Sequence, residues 1–239
     1  PGVSHTTRVI RLPPGETNLY KLCEADRIAE EVLAGRLEIA EGHAALRALE
    51  RDGGWRSHLQ QVAGFGLAAA SVAGLLRLPW LDIATAGVIG TLIGLLGLAS
   101  RDRPQMREAD EVIAGVVAGG LAALVATFLA PLNLNTVVIA SMIVLMPGMA
   151  LTNAFSELTS QHLISGTARM FGALATLLKL TVGTMIALIA LQLLGLEPQV
   201  RALRPQPAWV EWCAVVTASW AFAALFRAGR RDIVLVMVA

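Results

Sequence analysis

The sequence predicts an all-α, polytopic helical membrane protein with a short N-terminal cytoplasmic helical region. Three observations predict it. Hydrophobic residues make up 55% of the 239 residues and charged residues 15%, against roughly 25% charge in ordinary soluble domains. The charge is also concentrated: residues 1–60 hold 8 of the 19 Lys/Arg and 9 of the 18 Asp/Glu. After them, apolar stretches recur that approach the about 20 residues needed to cross a bilayer.

The same composition excludes other classes. A net charge of +1 gives no basic face for nucleic acid. Cys23 and Cys213 stand far apart, with no CxxC or Cys/His cluster, so neither a zinc site nor a disulfide framework is expected. No phosphate-binding loop, haem histidine pair or flavin fingerprint occurs, so no cofactor and no metal is expected. Three parts follow: residues 1–58 as a cytoplasmic lead-in, the end of a larger soluble domain; residues 59–195 as a first transmembrane half of five helices, one interrupted; and residues 209–239 as the start of a second half. Both ends read as cut. The chain opens on Pro1 with no charged run leading into a short apolar one, and Ile233–Ala239 is too short to span.

Each element has its own signals. His5–Leu12 reads as a strand, closed by Pro13-Pro14-Gly15. Thr17 is a candidate cap for a helix to about Ala34, with Leu19, Leu22, Ile28, Val32 and Leu33 on its apolar side and Gly35 as its stop. A second helix, Ile39–Glu50, ends at Gly53-Gly54. His43 and His58 read as surface or interfacial residues. The spans then follow as Val62–Leu78, Leu81–Ala99 beyond Pro79, and Val112–Leu129 closed by Pro131. A fourth begins near Thr136 and meets Pro147-Gly148. A fifth runs from about Thr167 to Leu194 and a sixth over Trp209–Phe226. Gly87, Gly90, Gly94 and Gly97, with Gly115 and Gly119, form small-residue stripes for close helix packing.

Arginine sets the orientation. Arg101, Arg103 and Arg107 follow the second span and Arg227, Arg230 and Arg231 the sixth, whereas Pro131–Asn135 carries no basic residue. The N-terminal part and the Arg-rich links are therefore expected on the cytoplasmic side. Trp80 and Trp209 fall at expected membrane boundaries.

The informative segment is Met146–Arg169. Pro147 lacks an N–H and clashes with the preceding turn, and Gly148 permits unusual backbone angles. Transporters use such breaks to aim free backbone groups at a substrate. Thr152, Asn153, Ser156 and Glu157 follow directly, with Asn153 and Glu157 four apart on one helix face. Arg169 opens the fifth span, and Lys179 lies inside it, where a charge is costly unless paired. Glu157 or a bound carboxylate is its expected partner. His162 reads as a solvated loop residue. In a proton-coupled carrier Glu157 is the expected group to take and release the proton, which requires partial burial of its carboxyl.

At these residues the chain resembles the bacterial threonine/serine exporters. That family shows Pro-Gly-x-x-x-Thr-Asn-Ala, then a polar loop and Ser-Gly-x-x-Arg. Here the first element is Pro147-Gly148-Met149-Ala150-Leu151-Thr152-Asn153-Ala154 and the second Ser165-Gly166-Thr167-Ala168-Arg169. Thr7–Arg11 and the helix ending at Gly35 are similar to the end of the family's cytoplasmic domain, so the resemblance covers about residues 5–195. Two departures stand out: Ser156-Glu157 replaces Arg-Asp, and Gln161-His162 replaces Gly-Asp. The charge is kept at Glu157, while the arginine and the loop aspartate are lost.

The resemblance implies a secondary transporter of two helical halves in the bacterial cytoplasmic membrane, exporting threonine and serine with the proton gradient. Its site residues would be Pro147, Gly148, Thr152, Asn153, Glu157, Ser165, Gly166, Arg169 and Lys179. Its partners would be a small-molecule substrate, the lipid bilayer, and a homo-oligomeric copy or a second membrane half. The alternatives are an exporter of small dicarboxylates such as succinate, or a non-transporting membrane assembly subunit. An intramembrane serine protease is disfavoured: no Gly-x-Ser-x-Gly element occurs and nothing in the sequence orients His162 near Ser165.

Overall fold

The computed structural model describes residues 18–50, 54–101, 103–200 and 205–227. The strand expected over His5–Leu12, the cap expected at Thr17 and the run from Ile233 lie outside them. Among the described residues the structure is helical, with one isolated bridge between Leu132 and Val200. The chain divides into two compact units, residues 1–51 with 226–230, and residues 52–225 with 231–239.

In the first unit α1 (Leu19–Leu33) and α2 (Ile39–Glu50) pack together. Asn18 caps α1: its side-chain oxygen accepts the Lys21 N–H at 3.0 Å. Gly35 ends it with φ +69°, the left-handed conformation that glycine adopts without a Cβ penalty. Ile28 is buried, and Gly42 comes so close to Val32 that a Cβ there would lie 2.6 Å from Val32 Cγ2.

The second unit is a bundle of α3 (Trp55–Leu75), α4 (Trp80–Ser100), α5 (Pro104–Phe128), α6 (Leu134–Ser141), α7 (Gly148–Thr159), α8 (Leu163–Leu193) and α9 (Ala208–Leu225). Among the described residues four helices are long and apolar enough to cross a membrane: α4, α5 over Ala109–Phe128, α8 and α9. The bent pair of α6 and α7 counts as a fifth if taken as one span. α3 has the length but stands outside that set; its first two turns carry Arg56, His58, Gln60 and Gln61. It starts at Trp55, well before the span expected from Val62, because those polar residues continue the helix rather than end it.

Glycine and alanine fix the packing. α4 lies on α3 through Gly87, Gly90 and Gly94, where a Cβ would meet Ala70, Ala69 and Phe65 at 3.0–3.2 Å for the outer two and 2.6 Å for Gly90. α5 lies on α8 through Gly115 and Gly119. Gly97 is the exception among the stripe residues, with nothing nearer than Asp110 at 4.0 Å.

One end of this bundle is tied by polar contacts between three connections. Leu132 N–H donates to Gln199 O at 3.2 Å. Arg77, left-handed at φ 55°, donates from Nε to Gln206 O at 2.6 Å and receives the Gln206 N–H on its own carbonyl at 2.9 Å. Trp80 and Trp209 sit with ring centroids 6.0 Å apart. At the other end His58 meets Arg101 at 3.0 Å, and Ser100 donates to Asp110 Oδ2 at 2.9 Å.

Candidate functional site

The helix break is longer than the Pro147-Gly148 pair alone suggests. α6 stops at Ser141, a 3-10 turn covers Ile143–Leu145, and Met146 is extended (φ −66°, ψ 128°). Pro147 takes φ −80° and ψ 49° and its carbonyl accepts the Leu151 N–H at 3.0 Å, which starts α7. The limbs on either side are bent by 54°. Proline cannot donate back to the preceding turn, so the last turn before it tightens and the chain is redirected.

α7 buries Ala154 and leaves Thr152, Asn153 and Ser156 exposed. Thr152 returns its hydroxyl to Gly148 O at 3.1 Å. The Asn153 amide stands on the same exposed flank. α8 folds back onto α7 after a tight turn, in which Gln161 is left-handed at φ 67° and the His162 N–H donates to Glu157 O at 2.9 Å. Gly166 makes the return close: a Cβ there would lie 2.8 Å from Leu158 Cγ.

This hairpin unites Glu157 and Arg169. Arg169 Nη2 lies 2.9 Å and Nε 3.0 Å from the same oxygen, Glu157 Oε1. Glu157 Oε2 is enclosed without a hydrogen-bond partner among the described residues. Ser165 stands beside this carboxylate and donates its hydroxyl to His162 O at 3.3 Å.

Lys179 is not part of that cluster. The sequence points to Glu157 as its partner, but in the structure Lys179 Nζ lies 3.5 Å from Glu111 Oε2 on α5. Ten residues separate Arg169 from Lys179, about 15 Å along a helix. Glu157 is already engaged by Arg169, and α8 runs against α5 at the level of Lys179, so the two basic residues serve different carboxylates.

Asp82 belongs to none of the motifs of the sequence. It lies in the first turn of α4 and is 0% exposed. Its Oδ2 accepts the Asn133 backbone N–H at 3.0 Å and Asn133 Nδ2 at 2.7 Å. Its Oδ1 is buried without a hydrogen-bond partner among the described residues. A signal was present: a lone carboxylate at the head of a long apolar run is rare unless it has work to do there. Beside Trp80 it passes for a boundary residue. Among the described residues no group of three His, Cys, Asp or Glu side chains could hold a metal ion.

Residues 2–191 match the family model described as "Putative threonine/serine exporter". No curated protein and no solved structure matches the chain.

Proposed function

The chain belongs to the threonine/serine exporter family, and from that premise we propose that it is a secondary transporter that exports threonine and serine in exchange for protons. It is a multi-pass membrane protein of a transporter family; the substrate, the coupling and the site are our reading. The binding site in this reading is the flank of α7 that follows the break. The observation that carries it is the Glu157–Arg169 pair beside exposed Thr152 and Asn153.

The chemistry suits a hydroxy amino acid. Its carboxylate and ammonium carry opposite charges a short distance apart. A pair of opposite side-chain charges can exchange partners with such a zwitterion, Arg169 taking the carboxylate and Glu157 the ammonium, with no net charge left buried. Asn153 and Thr152 then offer an amide and a hydroxyl to the substrate hydroxyl. Ser165 supports the carboxylate, and Gly166 holds α8 close enough for Arg169 to reach it. Pro147 and Gly148 supply the break, as in carriers that bind substrate at interrupted helices. Lys179 with Glu111 balances charge inside the apolar region. The Arg-rich link after α4 supports a cytoplasmic placement for the N-terminal helices in a bacterial cytoplasmic membrane.

Labelled threonine efflux from cells making the intact protein tests this reading. Asn153→Ala and Glu157→Gln should each abolish efflux while the protein stays inserted; normal efflux from both would refute the assignment. Competition separates the dicarboxylate reading. Serine should suppress threonine efflux and succinate should not, because Arg169 and Lys179 each already face one carboxylate.

A further inference from the structure

Asp82 is a carboxyl group wholly withdrawn from solvent, with no cationic partner among the described residues and one oxygen unused. We infer that Asp82 is the group that binds the coupled proton, at Oδ1, and that through Asn133 this proton sets how firmly the bundle holds the start of α6. The inference rests on the proton-coupled export reading and names the carrier that it requires.

The argument is one of hydrogen bonds and position. Both N–H groups of Asn133 converge on Oδ2. Such bonds are strongest when the acceptor is ionised, and the first turn of a helix favours a negative charge. An ionised Asp82 therefore grips the connection between α5 and α6. A proton on Oδ1 neutralises the acceptor and weakens both bonds at once. Asn133 directly precedes α6, which runs into the break, so the grip is exerted on the same bent span that carries the substrate flank.

Few other charges face Asp82. α4 packs against α3, α5 and α6. The described charged or titratable residues of α3, Arg56 and His58, lie near its start, at the opposite end of α4, where His58 meets Arg101. α5 brings Asp110 and Glu111, but Asp110 bonds to Ser100 at the far end of α4, about 27 Å from Asp82 at 1.5 Å per residue. α6 has no titratable residue. Arg77, in the link before α4, is engaged with Gln206 O. Glu157, by contrast, already has a guanidinium on its carboxylate. Two carboxylates in such different surroundings suit different tasks.

The test uses the intact protein in lipid vesicles. Asp82→Asn keeps the shape and the acceptor oxygen but cannot take up a proton. We expect it to retain threonine/threonine exchange and to lose at least tenfold of the accumulation driven by a pH gradient, whereas gradient-driven accumulation equal to the unsubstituted protein's would overturn the inference and leave the export reading standing. Asn133→Ala removes one donor and keeps the carboxyl; the pH of half-maximal gradient response should move up, and an unchanged midpoint would also overturn it. If the unsubstituted protein moves no threonine, the export reading fails, and infrared titration decides Asp82 separately. A protonated-carboxyl stretch that grows on acidification and is missing from Asp82→Asn supports the proton site; no such band rules it out.

Discussion

Gly115 and Gly183 face each other where α5 crosses α8. A Cβ on Gly183 would stand 2.1 Å from Val112 O, and one on Gly115 would stand 2.4 Å from Leu180 O. The obstacle in each case is backbone, which cannot rotate aside. Gly183→Ala should therefore force the helices apart and destabilise the protein by about 1–3 kcal/mol, the usual range for overpacking. Gly172, on the same helix with nothing within 4 Å, is the control: Gly172→Ala should leave stability unchanged or raise it by up to ~1 kcal/mol. Thermal unfolding of the lipid-reconstituted protein distinguishes the two.

Lys179 and Glu111 neutralise each other between α8 and α5. Removing one partner takes away a charge that offsets the other in an apolar stretch. Lys179→Gln or Glu111→Gln alone should lower the melting temperature more than the double substitution does. A double-mutant cycle should give a coupling of about 1 kcal/mol, and strictly additive effects would show that the pair contributes nothing.

Arg169 places two N–H donors on one oxygen of Glu157, a geometry that needs a guanidinium. Lysine has the charge but not the fork. Arg169→Lys should reduce threonine export about tenfold or more, equal to ~1.4 kcal/mol of lost binding, while the protein remains inserted. Export at the unsubstituted rate would mean that only the charge matters.

Asn18 closes the first turn of α1 by accepting the Lys21 N–H. Asn18→Ala should cost about 1 kcal/mol, read as faster amide hydrogen exchange in the first turn of α1 with no change in export.

Much of this architecture can be read from residue order, because the signals are local. Gly35 ends α1, Pro79 separates α3 from α4, and Gly54 precedes α3; each reflects a backbone preference that acts within a few residues. The bounds Ile39–Glu50 agree with the structure to the residue. At the start of α1 it is Asn18 that accepts the Lys21 N–H; a good capping residue is legible in the sequence, whereas which side chain reaches that N–H is a matter of dihedral angle. Within the candidate site, Glu157 and Arg169 can be singled out individually, but their meeting depends on a tight turn at Gln161 and a close approach at Gly166. Partners from distant helices leave no local trace. Glu111 stands at the very edge of an apolar run, and Asp82 beside a boundary tryptophan. Each passes for a solvated end until the fold shows what surrounds it.

The seam between α3 and α4 is made of Gly87, Gly90 and Gly94 against Ala69, Ala70 and the backbone near Phe65. Contacts of this kind leave no room for a larger side chain: even one methyl on Gly66 would meet Thr91 Oγ1 at 2.0 Å. α5 and α8 also meet at backbone distance, and there Lys179 and Glu111 add an ion pair across the seam. Glycine thus sets both seams at backbone distance, and the second is also held by charge.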